Sequence, residues 1–219
     1  MMIAIDGPAA TGKSTTAKIV AKKLGYTYLD TGAMYRCVTL AFLNDKVNLD
    51  DAQLIQKILD EIEIQFEENE GEVIVLMNNV DVSNEIRSLD VTKNVSAVSA
   101  LESVRNAMVK IQRKIALKTD CVMEGRDIGT VVFPDADVKI FLIGDIEVRA
   151  KRRQLDLESL GEEKTIQELV NDIEKRDQYD SLREISPLRK AEDAVEVDTS
   201  QMTIDDQVSR IIEIVNQKQ

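Results

Sequence analysis

Short, nearly continuous apolar runs alternate along this chain with longer stretches in which apolar residues recur at helical spacing. That alternation predicts an α/β fold. Parallel strands covered on both faces read as unbroken apolar runs, and the crossover helices between them show a single apolar stripe. The strands expected in the main sheet are Met2–Ile5, Tyr26–Leu29, Cys121–Glu124, Val138–Ile143 and Ala194–Val197. Helices are expected over Lys13–Leu24, Thr31–Leu43, Asp50–Leu59, Asn84–Ser99, Leu101–Leu117, Val148–Glu158, Thr165–Tyr179 and Ile204–Val215. Gly25 is the stop signal for the first of these. Between Glu63 and Val82 the period changes. Glu63–Phe66, Val73–Met77 and Val80–Val82 are short β-like runs, separated by the turn Glu68–Gly71 and by Asn78-Asn79. They predict a small antiparallel meander outside the main sheet.

Between the first strand and the first helix lies Gly7-Pro8-Ala9-Ala10-Thr11-Gly12-Lys13-Ser14, which fits G-x-x-x-x-G-K-[ST] at every specified position. The glycines let the backbone curl so that successive N–H groups face inward, and the helix start adds partial positive charge. The expected ligand is ATP with Mg²⁺. Lys13 is expected to reach the β- and γ-phosphates. Ser14 would supply a hydroxyl to Mg²⁺, and Thr15 or Thr16 a bond to the α-phosphate. The motif alone is shared by kinases, GTPases, motor ATPases and transporter subunits.

Charge narrows the field. Lys and Arg number 28 against 40 Asp and Glu, a net charge of -12, which argues against a general nucleic-acid binder. No run reaches the ~18 consecutive apolar residues of a membrane span, and no basic leader opens the chain, so a cytoplasmic protein is expected. Cys37 and Cys121 sit in apolar contexts and read as small core residues. There is no histidine. Any chemistry therefore runs on carboxylates, Lys, Arg, backbone N–H groups and an oxygen-bound metal such as Mg²⁺. At 219 residues the chain suits one buried core with a satellite subdomain, and a monomer is expected.

Phosphoryl transfer is carried by positioning and electrostatics, so clusters of Arg away from the loop matter. Three occur. Asp30-Thr31-Gly32-Ala33-Met34-Tyr35-Arg36 follows the second strand, with Thr31 as the expected helix cap. Glu124-Gly125-Arg126-Asp127-Ile128-Gly129 follows the strand at Cys121. Arg149, Lys151, Arg152 and Arg153 form the third set with Arg176, Asp180 and Arg183, the last three expected on one helical face. On the residues alone, a kinase acting on UMP, AMP or a small metabolite such as shikimate stays open, as does an ATPase switch.

Several stretches carry a more specific resemblance. Ile5–Thr15, Leu29–Arg36, Val82–Arg87, Glu124–Ala136, Lys139–Leu142 and Arg176–Leu188 resemble the bacterial cytidylate kinases, the CMP/dCMP branch of the nucleoside monophosphate kinases. The resemblance covers essentially the whole chain. It implies transfer of phosphoryl from ATP to CMP or dCMP, and a P-loop NTPase fold with a five-stranded parallel sheet, a small antiparallel β insertion and a helical LID. The implied division is a CORE of residues 1–35, 85–145 and 188–219, an acceptor-binding region at 36–84, and the LID with its flanking helices at 146–187. By the same resemblance Thr31 approaches the acceptor nucleotide, Arg36 and Arg126 bind the CMP phosphate, and Ser96, Arg105 and Asp127 read the cytosine edge. Arg176, Asp180 and Arg183 contact sugar and phosphates. Lys13, Arg126, Arg149 and Arg153 follow the transferring group, and Arg152 is a further LID candidate. The implied partners are small molecules, with no nucleic acid and no membrane.

Overall fold

A computed structural model describes residues 1–69, 72–117, 119–158 and 161–218. Of the expected turn Glu68–Gly71, Glu70 and Gly71 lie outside the described residues. In chain order the elements are β1 (Met2–Asp6), α1 (Lys13–Leu24), β2 (Thr27–Asp30), α2 (Thr31–Asn44), α3 (Ala52–Glu61), β3 (Ile64–Asn69), β4 (Glu72–Met77) and β5 (Val80–Asp81). They continue with α4 (Leu89–Ala100), α5 (Glu102–Ala116), β6 (Cys121–Gly125), β7 (Val138–Ile143), α6 (Ile146–Glu158), α7 (Ile166–Leu182), β8 (Val195–Asp198) and α8 (Ile204–Asn216). Single helical turns of other pitch occupy Glu85–Arg87 and Ile128–Val132.

Two compact units divide the chain: Met1–Leu29 with Ile115–Gln219, and Asp30–Lys114. In the first unit five parallel strands run in the order β2-β6-β1-β7-β8. β1 is central because Ile3, Ala4 and Ile5 are apolar on both faces and wholly buried. Asp6, its last residue, stands level with Gly125 of β6 and Phe141 of β7. The chain winds to one side of β1 and then to the other, so the segments leaving β1 and β6 emerge side by side at the carboxyl edge, where open α/β sheets bind ligands. Ala17, Val20 and Ala21 of α1 and Val208, Ile211 and Val215 of α8 pack with these strands in one core. α6 and α7 share a second, smaller core of Ala150, Leu157, Leu169 and Ile173. A capping box of Thr165 and Glu168 starts α7.

The second unit packs α2 on α4 and carries the antiparallel sheet β3-β4-β5, a separate sheet as the change of period predicted. Residues 31–35 and 85–114 belong to this unit together with 36–84. The helix expected over Asn84–Ser99 is interrupted. After the turn Glu85–Arg87, Ser88 is extended at ψ 158°, and its hydroxyl accepts the Val91 N–H at 3.4 Å to start α4. A serine side chain competes for backbone hydrogen bonds in this way and so favours a helix start over a helix interior.

The turn after β6 also differs from a plain loop. The Val132 N–H donates to the Asp127 carbonyl at 3.2 Å and the Phe133 N–H to the Ile128 carbonyl at 2.7 Å, the wide spacing of a π turn. Such turns widen the backbone locally and often occur at functional sites.

Candidate active site

The loop between β1 and α1 begins at a glycine that packing requires. Gly7 has φ +149°, and a Cβ there would lie 2.2 Å from the Leu142 carbonyl oxygen of β7. No side chain fits without moving the main chain. We expect Gly7→Ala to cost about 2–3 kcal/mol, seen as a lower urea midpoint at unchanged slope. Gly25→Ala, whose Cβ meets nothing within 4 Å at φ +70°, carries only the left-handed backbone cost, about 1 kcal/mol. An equal loss in both would show that contact with β7 is not what excludes a side chain at Gly7.

Inside the loop the Lys13 ammonium turns back, donating to the Pro8 carbonyl at 2.5 Å and lying 3.4 Å from the Thr11 hydroxyl. Burial, and then the Arg126 guanidinium, push its pKa down to about 7 against the pull of Glu124, Asp6 and Asp177. Ser14 and Thr15 are exposed, whereas Thr16 donates to Gln207 Oε1 of α8 at 2.9 Å. Thr16 is therefore engaged in packing, whereas the Thr15 side chain is exposed.

Side chains of α6 and α7 meet the loop from outside. The Ala9 N–H donates to Asp177 Oδ1 at 3.1 Å, and Arg149 Nη1 donates to the Ala9 carbonyl at 3.1 Å while pairing with Asp177 Oδ2. Arg152 donates to the carbonyls of Thr11 at 3.3 Å, Thr199 at 2.7 Å and Met202 at 3.3 Å. Its guanidinium thus ties the loop to the segment after β8. Arg153 is half-buried and makes no hydrogen bond or ion pair with another described residue.

Asp6 joins the loop to the turn after β6. Its carboxylate, 5% exposed, accepts the N–H groups of Ile128 and Gly129, each at 2.8 Å. Burial pushes the carboxyl up to about 6, although the two N–H bonds pull the other way. Folded Asp6 therefore holds a proton that the unfolded chain releases, and between pH 3.8 and about 6 its share of the stability falls as pH rises.

Arg126 and Asp127 lie on that same turn, and Asp127 is 3% exposed. Arg126 Nε donates to Asp180 Oδ2 at 2.9 Å, and Arg183 Nη1 stands 3.8 Å from Asp180 Oδ1. Burial works against ionisation of Asp180, but Arg126, Arg176 and Arg183 outweigh it and hold the carboxyl below the ordinary carboxylate range. Arg183 does not share a helical face with Arg176 and Asp180 as expected. α7 ends at Leu182, Arg183 is extended at ψ 141°, and its Nε donates to the Ser186 carbonyl at 2.6 Å. Asp180 gathers the arginines all the same, because the chain bends back beyond the helix and the Leu188 N–H donates to the Asp180 carbonyl at 2.8 Å.

In the second unit, Asp30 rather than Thr31 caps α2, its Oδ1 accepting the Ala33 N–H at 2.9 Å. Thr31 is the first helical residue and is buried. The carboxylate wins the cap because it can face the free N–H groups from an extended backbone at φ -86°, one position earlier. Arg36 Nη1 donates to the Ile86 carbonyl and the Thr92 hydroxyl, each at 2.9 Å. Arg105, 2% exposed, lies over the Tyr35 ring at 5.2 Å and donates to the Ser99 carbonyl at 3.2 Å. Ser96 is half-buried, and its carbonyl accepts the Ser99 hydroxyl at 3.1 Å.

A protein-family model described as cytidylate kinase matches residues 3–217. The chain belongs to the cytidylate kinase family. It is 52% identical to the cytidylate kinase of Lactobacillus johnsonii over 219 residues, covering 100% of this chain and 95% of that one. Against the cytidylate kinase of Bacillus cereus it is 47% identical over 214 residues, 98% of this chain and 95% of the relative. Among solved structures, the shikimate kinase of Bacteroides thetaiotaomicron aligns with 99% of this chain and 98% of its own at a TM-score of 0.51 and 12% identity. A gluconokinase of Sinorhizobium meliloti aligns at the same TM-score and identity over 99% and 91%. At that identity they support the P-loop kinase fold alone.

For this member of the cytidylate kinase family, motif reading passed over three residues. Asp6 stands inside the quoted stretch Ile5–Thr15, yet its partners Ile128 and Gly129 are remote in sequence. Asp177 likewise stands inside the stretch Arg176–Leu188, beside Arg176, and Gln207 sits on a helix read only as amphipathic. The one sequence signal for Asp6 was an acidic residue closing an otherwise apolar strand. Asp177 and Gln207 gave none.

Proposed function

We propose that the chain transfers the γ-phosphoryl group of ATP to CMP or dCMP, giving ADP and CDP or dCDP. The observation carrying this reading is the pairing of two strand ends. The phosphate loop leaves β1 and the Gly-Arg-Asp turn leaves β6 beside it, joined through Asp6, in a chain of the cytidylate kinase family.

The loop backbone from Gly7 to Thr15 is the donor site, with Lys13 on the β- and γ-phosphates. For the acceptor, the proposed residues are Thr31, Arg36, Ser96, Arg105, Arg126, Asp127, Arg176, Asp180 and Arg183. Arg36 and Arg126 take the CMP phosphate. Asp127 accepts from the cytosine amino group, while Arg105 and Ser96 donate to its ring acceptors, so the two polarities of the base edge are matched. Arg153 completes the cationic set around the transferring group, while Arg149 acts on the loop from outside, through the Ala9 carbonyl and Asp177. No general base is required, because the acceptor phosphate is already anionic near neutral pH. A chain without histidine can therefore run this chemistry.

Mg²⁺ fits the donor set. Ser14 offers an exposed hydroxyl at the start of α1, and hard oxygen donors suit this cation. No group of three or more carboxylates, thiols or imidazoles able to hold a metal occurs among the described residues, so the phosphates themselves would complete its coordination. The ion supplies neutralisation of the phosphate charge. The proposal includes a cytoplasmic monomer, and the two buried, unpaired thiols agree with a reducing compartment.

An ADP-release assay with ATP alone, then with CMP, dCMP, UMP or AMP added, tests the reading. Release should depend on CMP or dCMP; release without an acceptor would sink it. In the same assay Asp127→Ala should raise the CMP KM by about tenfold or more, the effect of losing a charged hydrogen bond. The ATP KM should change by less than about twofold. The reverse pattern would remove Asp127 from the base site.

A further inference from the structure

Phosphate chemistry does not explain why Ala9 is held so fully. Both of its backbone polar groups end on one ion pair: its N–H on Asp177 Oδ1 at 3.1 Å and its carbonyl on Arg149 Nη1 at 3.1 Å, with Arg149 paired to Asp177. The next residue, Ala10, has φ +58°, in the left-handed region that a residue with a Cβ disfavours. Something must impose that conformation.

Peptide geometry shows what the pair does. In a trans peptide the C=O and the following N–H point in opposite directions. The Pro8 carbonyl is turned to Lys13, so the Ala9 N–H faces outward, to Asp177. The Ala9 carbonyl is turned outward to Arg149, so the Ala10 N–H faces the loop interior. The Thr11 carbonyl is turned to Arg152, which aims the Gly12 N–H inward in the same way.

We infer that Asp177 is a positioning residue for the nucleotide. With Arg149 it clamps the Ala9–Ala10 peptide so that the Ala10 N–H is aimed at the incoming phosphate before ATP arrives. Ala9 itself is a brace point, not a phosphate donor. The start of α6, through Arg149 and Arg152, belongs to the floor of the phosphate site and not to a part that closes over it. The inference rests on the ATP-binding reading above.

The test is ATP titration of the full chain without acceptor, alongside the CMP KM and the melting temperature. Asp177→Ala should weaken ATP binding by about tenfold, the size of one lost charged hydrogen bond, with the CMP KM within about twofold of the unaltered chain. Asp177→Asn keeps an oxygen for the Ala9 N–H and should lose about threefold. It also carries the test if the alanine variant does not fold. Ala10→Gly added to Asp177→Ala should recover at least half of the lost binding free energy, because glycine adopts the left-handed conformation unaided. A role in stability alone would lower the melting temperature without that rescue. Unchanged ATP affinity in Asp177→Ala, equal weakening of ATP and CMP, or failure of Ala10→Gly to rescue each overturns the brace. If the unaltered chain binds no ATP, the parent reading falls and the brace with it. ATP binding that ignores Asp177 sinks the brace alone.

Discussion

Lys13→Ala should lower turnover by about a thousandfold while the fold survives. The charge that develops on the transferring group has to be met by donors already in place, and losing one such donor from a desolvated site costs about 10²–10³ in rate. Lys13 is buried and turned onto the Pro8 carbonyl and the Thr11 hydroxyl. Its removal takes a costly buried charge out of the free protein, so the melting temperature should hold or rise. Near-normal turnover in the variant would end the phosphate-loop assignment. A second readout uses the proton. Burial holds Lys13 near 7 in the free chain, well below the ordinary 10.5. Phosphate oxygens beside the ammonium favour its charged form and raise that value again. ATP binding should therefore take up protons between pH 7 and 9, and affinity should weaken as pH rises through that range. Calorimetry in two buffers of different ionisation enthalpy measures the uptake, and Lys13→Ala should abolish it. The folding linkage has the opposite sign to that of Asp6. Between about pH 7 and 10.5 the unfolded chain binds the proton that folded Lys13 has released, so the free protein gains stability as pH rises.

The second large effect is on stability. Asp180→Ala should cost about 4 kcal/mol, because it removes the buried carboxylate that Arg126, Arg176 and Arg183 share. For a chain of this length that is a fall in melting temperature of about 8–16 °C. Asp180→Asn keeps an oxygen for Arg126 Nε, and should cost about half as much. A change below about 1 kcal/mol in the alanine variant would show the arginines to be well solvated and the carboxylate dispensable. The pH dependence follows from the depressed carboxyl. Its contribution is present above pH 3.8, the ordinary value, and is lost as acidification carries the protein through the lower folded value.

The contrast between Lys13 and Asp180 also shows what a sequence can and cannot disclose. The strand, loop and helix around Lys13 were legible because the motif is contiguous and its neighbours carry clear periods. The main strands and the separate meander were legible for the same reason: period and turn residues are local properties. Asp180 was legible as an acidic partner of Arg176 and Arg183, but not as the partner of Arg126, which lies 54 residues away. Asp6 with Ile128 and Asp177 with Ala9 are separated by 122 and 168 residues. The strand order brings the first pair together and the packing of α6 on α7 the second; neither is written in local periodicity. The break at Ser88 and the wide turn at Ile128 escaped for a different reason. Each turns on which group satisfies one backbone N–H, a choice that apolar spacing does not encode.

The two cysteines have a practical consequence for spectroscopy. Burial pushes the Cys37 thiol up to about 12 and the Cys121 thiol up to about 11, so near neutral pH both are protonated and shielded from reagents. Alkylation requires the thiolate. A cysteine introduced at an exposed position, such as Leu155 on α6 or Val80 on β5, should take a maleimide dye selectively without the native thiols being replaced first. The native chain is thus a ready background for fluorescence measurements of nucleotide binding.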